Sequence, residues 1–69
     1  MFFTDVSHER AVRAFQKTGF WIHREGKHTI MTDGKRIILI PRHKRINPFT
    51  LRRTIRDAGL TDEEFKELL

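Results

Sequence analysis

The chain has 69 residues and no cysteine, and its 14 Lys or Arg against 9 Asp or Glu give a net charge of +5. This length predicts one domain over residues 1–69, and the lack of cysteine excludes disulfide bonds and Cys-ligated metals. The longest apolar run, residues 37–41, is too short to cross a bilayer, and the first residues do not resemble a signal peptide, so we expect a cytoplasmic protein.

The first predicted element is a helix that begins after Ser7 and runs to about Lys17. The Ser7 hydroxyl can accept a hydrogen bond from a backbone N–H group of the first turn, which has no helical carbonyl as partner. Gly19 fits the left-handed backbone conformation that often follows the end of a helix. Three apolar residues recur at helical spacing and form one stripe: Ala11, Val12 and Phe15.

Three strands follow, predicted over residues 20–24, 28–32 and 35–41, where aromatic and β-branched residues are frequent. Gly26-Lys27 predicts a tight turn between the first two strands. Asp33-Gly34 is the strongest hairpin signal in the sequence, because both residues tolerate a positive φ angle. The third strand ends at its proline, which has no backbone N–H to donate to a neighbour.

Two helices complete the predicted elements. Asn47-Pro48 provides a cap and a first helical residue, and Gly59 ends this helix. We expect Leu60 to fold back on Ile55, as in a Schellman ending. Residues 61–64, Thr-Asp-Glu-Glu, predict a capping box that opens a short last helix.

This order, α-β-β-β-α with a short C-terminal helix, predicts an α+β domain whose helices lie on one face of a three-stranded antiparallel sheet. With two-residue turns at both hairpins, the core face carries Phe20, Ile22, Met31, Ile38 and Ile40. The other face carries Trp21, His23, Glu25, His28, Ile30, Ile37 and Leu39. This second face has more apolar area than a free surface needs, which indicates a partner surface.

The charge of the chain is unevenly distributed. Residues 24–56 hold ten Lys or Arg and two acidic residues, a net charge of +8, whereas residues 57–69 hold five acidic residues and one Lys, a net charge of −4. A concentrated positive field favours a polyanion such as nucleic acid, because each phosphate contact releases condensed counterions. A solvated basic surface is the alternative, and it applies equally to the basic helix face Arg52, Arg53 and Arg56.

The four histidines are the side chains best suited to proton transfer near neutral pH. His8 falls in the first helical turn, where we expect it to be solvated, and His23 either packs within its strand or contacts the substrate. His43 lies in a basic loop, where it either contacts phosphate or is a flexible surface residue. His28 begins a strand just after a tight turn, so a rigid element holds its ring and a loop leaves it accessible. By itself such a position is more often structural than catalytic.

Several short motifs stand in a characteristic order along the chain. They are Gly19-Phe20, Gly26-Lys27-His28, Asp33-Gly34, Ile38-Leu39-Ile40-Pro41, Thr50-Leu51-Arg52, Ile55-Arg56-Asp57-Ala58-Gly59-Leu60 and Glu64-Phe65. In order and spacing they resemble the HicA toxin family, which comprises small bacterial-type ribonucleases that a partner protein inhibits. The resemblance covers residues 7–68 approximately and implies the same α-β-β-β-α fold.

The resemblance implies that His28 is the catalytic residue, because it occupies the His position of the family's Gly-Ser-His triplet. Lys27 replaces the common Ser of that triplet, and Ile40-Pro41 replaces the common Val-Pro at the end of the strand. Other members also vary at the middle position of the triplet, so we expect the activity to be retained.

The reaction implied is cleavage of single-stranded RNA or mRNA, which carries its own nucleophile, the 2′-OH. His28 would act as a general base or acid, and Lys27 or Arg24 would stabilise the charge of the phosphorane. Three loop cations would hold the strand by its phosphates: Arg42, Lys44 and Arg45. The sequence has no carboxylate cluster for Mg²⁺ and no His/Cys spacing for zinc, so we expect neither a metal nor another cofactor.

The resemblance also implies a HicB-type antitoxin as partner, and we expect it to contact Trp21, Ile37 and Leu39 beside His28. Two other interpretations stay open. A non-catalytic RNA-binding module of the double-stranded-RNA-binding type has the same element order, although the lysines that such a module carries at a helix N-terminus are missing here. A catalytically silent relative that only binds a partner is the third.

Overall fold

The computed structural model describes residues 3–69, which form three helices and one sheet. Along the chain these are α1 (His8–Gln16), β1 (Trp21–Glu25), β2 (His28–Thr32), β3 (Ile37–Pro41), α2 (Pro48–Asp57) and α3 (Asp62–Leu68). The strands are antiparallel in the order β1-β2-β3. The predicted order of elements and the α+β class are therefore confirmed.

Each helix begins at a side-chain cap that the sequence predicts. The side chains of Ser7 and Asn47 accept hydrogen bonds from backbone N–H groups in the first turns of α1 and α2. Thr61 and Glu64 cap each other's backbone N–H groups at the start of α3. These bonds satisfy donors that have no partner within the helix, which is why such short helices begin at defined residues.

The end of α2 is set by Gly59, whose φ of +78° suits a residue without Cβ. The backbone N–H of Leu60 donates to the carbonyl oxygen of Ile55 at 3.0 Å, which confirms the predicted Schellman ending. The guanidinium carbon of Arg36 lies 2.9 Å from the position that a Cβ at residue 59 would occupy. Glycine therefore also lets the segment before β3 pack against the end of α2.

The helices cover one face of the sheet and enclose the core. α1 and α2 pack against β3, and α3 packs against both of these helices. Phe15 of α1 and Phe65 of α3 are fully buried, with their ring centroids 5.1 Å apart. Four of the five residues predicted for the core face are buried: Phe20, Met31, Ile38 and Ile40.

Ile22 is the exception, since 38% of it is exposed. It pairs with Met31 and shares the core face, but β1 is the edge strand and all five of its residues are exposed. The helices pack against β3, at the opposite edge of the sheet. The predicted face of Ile22 is therefore confirmed, although the residue lies outside the buried core, because alternation shows which face a side chain takes and not whether anything covers it.

A bulge in β1 changes the faces near the first turn. The pairing of β1 with β2 shifts by one residue between Ile22 and Arg24, so that His23 is an extra residue in the strand. Beyond the bulge Arg24 pairs with Ile30 and takes the outer face, where simple alternation predicts Glu25. One inserted residue reverses the alternation for the rest of the strand.

The second hairpin is closed by four residues, 33–36, because Thr32 pairs with Ile37. The prediction of a two-residue Asp33-Gly34 turn is therefore wrong, and only the glycine of that pair has a positive φ. The predicted faces of β3 are nevertheless confirmed, because the pairing has shifted by two residues and side chains alternate with a period of two.

The side chain of Asp33 explains the longer turn. Its carboxylate accepts hydrogen bonds from the backbone N–H groups of Arg36 at 2.7 Å and Lys35 at 2.9 Å. These bonds lower the pKa of Asp33 from its ordinary value of 3.8, and the bond from Arg36 has the largest effect. A carboxylate that accepts from the residues two and three positions later stabilises a turn without a second positive φ angle.

Candidate functional site

The outer face of the sheet carries the exposed apolar residues that alternation predicts. Trp21 is 51% exposed, Ile37 68% and Leu39 53%. Ile30 pairs with Leu39, and Trp21 and Ile37 both pair with Thr32, so that these apolar residues share one face of the sheet. Exposed apolar area on one face is typical of a contact surface.

His28 lies at one end of this face, at the start of β2 and opposite Pro41 of β3. Its side chain is exposed. A groove of about 360 Å³ connects His28 with α2 across β3. The sheet side of the groove is formed by Ile37, Leu39 and Pro41, and the helix side by Thr50, Arg53, Thr54 and Asp57. The imidazole is thus accessible to a ligand in the groove, whose sheet side is apolar.

A second depression, of about 220 Å³, adjoins the groove, since His28 and Leu39 line both. Its other lining residues are Arg24, Gly26, Lys27 and Ile30. The bulge in β1 puts Arg24 on the outer face, and the turn between β1 and β2 holds Lys27 next to His28. The structure therefore brings His28 together with two of the predicted cations.

The other three predicted cations follow β3. Nη1 of Arg42 donates to the carbonyl oxygen of Gly26 at 3.4 Å, so this side chain reaches the turn between β1 and β2. Nε of Arg45 lies 3.4 Å from the carboxylate of Asp5, in a mostly exposed ion pair that contributes little to stability. Among residues 3–69, neither Lys44 nor Arg45 lines the groove or the second depression. Only Arg42 of these three is placed near the candidate site.

The position of His8 differs from its prediction. It is half-buried, and its Nε2 lies 2.6 Å from the hydroxyl oxygen of Thr29, a fully buried residue directly after His28. The backbone N–H of His8 donates to the carbonyl oxygen of His43 at 3.0 Å. The expectation of a solvated His8 is therefore wrong, because tertiary hydrogen bonds hold the first turn of α1 against the sheet and the loop after β3.

The other histidines lie outside the candidate site. His23 is exposed as the extra residue of the β1 bulge, which contradicts the alternative that it packs within its strand. His43 is exposed in the loop after β3. His28 is thus the one histidine in the described part of the chain that lines the groove and the second depression.

α2 supplies groove residues that the sequence does not single out. Thr50, Thr54 and Asp57 line the groove beside Arg53, which the sequence indicates only as part of a basic helix face. The Thr54 hydroxyl lies 3.3 Å from the carbonyl oxygen of Leu39 and joins α2 to β3. Their spacing of three and four residues places all four on one side of a helix. Only the packing of α2 against β3 reveals that this side faces the groove.

Residues 3–69 contain neither a cluster of metal-binding side chains nor a membrane-spanning helix. No three His, Asp or Glu side chains in this range come together in a way that could hold a metal ion. Each of the helices described is also too short or too polar to pass through a bilayer.

Comparison with known protein families gives a match that covers most of the chain. A family model described as "HicA toxin of bacterial toxin-antitoxin" matches residues 9–60. This range contains nearly all of α1, the whole sheet with His28, and α2. Comparison with curated proteins gives no match. The matched range therefore includes the residues that line the groove and the second depression.

Proposed function

Because the chain belongs to the HicA toxin family of bacterial toxin–antitoxin systems, we propose that it is a ribonuclease toxin that cleaves single-stranded RNA, including mRNA, with His28 as its catalytic residue. The position of His28 supports the proposal. It is exposed between two adjoining depressions, with Arg24 and Lys27 in one and Arg53 in the other. A proton-transfer group flanked by cations suits the cleavage of a phosphodiester.

RNA supplies the nucleophile of the proposed reaction, which is the 2′-OH beside the phosphate to be cut. His28 removes the proton of this hydroxyl while its oxygen attacks phosphorus. The new bond from phosphorus to the 2′-oxygen gives a 2′,3′-cyclic phosphate, the bond to the 5′-oxygen breaks, and the departing oxygen takes up a proton. General acid–base catalysis of this kind contributes about 10²–10⁴-fold to the rate.

The cations around His28 provide the remaining stabilisation. The phosphorane carries additional negative charge on its non-bridging oxygens, and Arg24 or Lys27 can donate hydrogen bonds to them from the same depression as His28. Phosphates farther along the strand are bound, without reading of the sequence, by the loop cations Arg42, Lys44 and Arg45. We propose that this mechanism is independent of metal ions, since the chain's own cations supply the positive charge.

A HicB-type antitoxin is the inhibitor that we propose, and the outer face of the sheet is where we expect it to bind. Trp21, Ile37 and Leu39 are exposed there on the same face as His28. One partner domain that buries these residues would therefore also block the catalytic group. Acidic groups on the antitoxin would be attracted by the basic residues around His28, which speeds association. Expression of the chain alone should arrest growth, and co-expression of the antitoxin should relieve the arrest.

The proposed chemistry is tested by cleavage of a fluorescent single-stranded RNA in the presence of EDTA. The wild-type chain should cut this RNA, and His28→Ala should lower the rate by about 10²–10⁴-fold while the circular dichroism spectrum and the unfolding midpoint stay unchanged. His43→Ala is the matched control, because His43 is exposed and outside both depressions. This variant should cleave at nearly the wild-type rate.

The nature of the nucleophile is tested by a modified substrate and by the product ends. A single 2′-deoxy nucleotide at the cut should prevent cleavage, and the products should end in a 2′,3′-cyclic phosphate or a 3′-phosphate. Ends with a 5′-phosphate would indicate an activated water and contradict the mechanism, as would full activity of a folded His28→Ala variant. Binding of RNA without any cleavage would indicate a non-catalytic RNA-binding module instead.

A further inference from the structure

α2 carries an exposed surface of aromatic and basic residues outside the proposed catalytic centre. Phe49, in the first turn of α2, is 71% exposed, whereas Leu51 and Ile55 on the opposite side of the helix are buried. We define the α2 surface as the residues that line a depression of about 390 Å³: Phe49, Arg52, Arg53, Arg56 and Asp57. Most of the surface of Phe49 is therefore exposed to solvent beside basic groups.

The α2 surface is continuous with the groove at His28, because Arg53 and Asp57 line both. Phe49 and Arg53 are four residues apart, and Arg56 follows three residues later, so these three lie along one stripe of the helix. At a rise of 1.5 Å per residue the stripe is about 10 Å long. A strand that occupies the groove can therefore continue along α2 without crossing another element.

The α2 surface carries three arginines and one carboxylate, that of Asp57, and its net charge of +2 suits a polyanion. Arg52 lies 3.7 Å from Asp62 of α3, whereas Arg53 and Arg56 are exposed. Exposed cations one helical turn apart can bind successive phosphates of a flexible single strand. An exposed aromatic ring beside them can stack on a base of any type, since every base has a π face.

We infer that single-stranded RNA extends from His28 along α2, with one base stacked on Phe49 and neighbouring phosphates bound by Arg53 and Arg56. The inference rests on the proposed function and adds a subsite for a nucleotide away from the cut. An antitoxin is the less suitable occupant, because Phe49 is the one apolar residue in the α2 surface as described. The outer face of the sheet offers a protein partner much more apolar area.

Binding is measured with His28→Ala as the background variant and a short fluorescent single-stranded RNA as the probe, so that cleavage does not interfere. Phe49→Ala in this background should weaken binding between about 5-fold and 150-fold, which corresponds to the loss of one stacked base. Phe49→Tyr retains an aromatic ring and should bind like the background. Phe49→Leu retains an apolar side chain without the ring and should bind nearly as weakly as Phe49→Ala.

The phosphate contacts are measured in the same background by the dependence of affinity on salt. Arg53→Ala and Arg56→Ala should each reduce the slope of log affinity against log salt by about 0.7, the value for one phosphate contact on a single strand. Arg13→Ala is the matched control, because Arg13 is an exposed helical arginine in α1 and lines neither the groove nor the α2 surface. It should leave the slope nearly unchanged.

Three results would overturn the subsite. They are equal RNA affinity of Phe49→Ala and the background, equal affinity of Phe49→Leu and the background, and loss of antitoxin binding in Phe49→Ala with unchanged RNA affinity. Cleavage separates this inference from the proposed function. If the wild-type chain never cuts RNA but Phe49→Ala weakens RNA binding as expected, the ribonuclease proposal fails and the subsite stands. If it cuts RNA and Phe49→Ala binds normally, the subsite fails and the ribonuclease proposal stands.

Discussion

In β3, four consecutive aliphatic residues alternate between two very different environments. Ile38 and Ile40 are buried under the helices, whereas Ile37 and Leu39 are 68% and 53% exposed on the outer face. The residue types are nearly the same on both faces, so composition does not distinguish them. The difference lies in the helices, which pack against one face of β3 and leave the other accessible.

This difference separates residues that stabilise the domain from residues that can act on a ligand. Full burial of an aliphatic side chain stabilises a protein by about 1.5–3 kcal/mol relative to leaving it exposed. Ile37 and Leu39 gain only a part of this in the isolated chain, so their apolar character contributes little to folding. Their position on the same face as His28 accords with the proposed contact with an antitoxin.

The largest expected effect is the loss of stability caused by Ile40→Ala in β3, which is compared with its neighbour Leu39→Ala. Ile40→Ala should lower the free energy of unfolding by about 2–5 kcal/mol, because it leaves a cavity in the core. Leu39→Ala should lower it by less than about 1 kcal/mol, because this side chain is largely exposed. Urea unfolding followed by circular dichroism measures both values. Equal losses would show that the outer face stabilises the isolated chain as much as the core face does.

An intermediate loss of stability is expected when the hydrogen bond between His8 and Thr29, on the helix-covered face of the sheet, is removed. The Thr29 hydroxyl is fully buried, and its partner is Nε2 of His8 at 2.6 Å. His8→Ala should lower the free energy of unfolding by about 1–3 kcal/mol, because it leaves that hydroxyl without this partner. Adding Thr29→Val removes the hydroxyl at similar shape and should recover part of the loss. Strictly additive effects in this double-mutant cycle would show that the contact contributes nothing.

The smallest expected effect concerns partner binding at the outer face. Trp21→Ala should weaken the complex with the antitoxin by more than about 1 kcal/mol, the usual threshold for an energetically important contact. Ile22→Ala is the matched control, because Ile22 is also exposed in β1 but lies on the core side of the sheet. Titration calorimetry should show nearly unchanged affinity for this control. A complex that forms equally well with Trp21→Ala and leaves His28 exposed would mean that the antitoxin binds elsewhere.

The helix ends and most strand faces could be predicted because the forces that set them are local. Ser7, Asn47 and Thr61 each cap N–H groups within their own helix, and the Schellman ending joins Leu60 to Ile55. Hydrogen bonds of this kind join residues at most five positions apart, so they can be read from short motifs. The β1 bulge could not be predicted, because nothing in residues 21–25 marks which of them is the extra one.

The sequence predicts the residues at the centre of the candidate site, but it does not predict which residues surround them. The resemblance to the HicA family indicates His28, and the turn before β2 places Lys27 beside it. Arg24 reaches the outer face only through the bulge, and the helix side of the groove depends on how α2 packs. The sequence indicates a basic stretch around the site. In the structure Arg24, Lys27 and Arg42 lie near His28, whereas Lys44 and Arg45 line neither the groove nor the second depression.

The sequence by itself determined the order of elements, the helix caps, the alternation along β3 and the family. The first three depend on residues close together in the chain, where propensity, capping and the two-residue period of a strand act directly, and the family depends on the order and spacing of motifs along the chain. The tertiary structure alone decided which apolar residues are covered, that His8 bonds to Thr29, and that Arg53 and Asp57 share a groove with His28. The physical reason is distance along the chain. Contacts such as His8 to Thr29 and Thr54 to Leu39 join residues 21 and 15 positions apart, and no local pattern specifies how those elements pack.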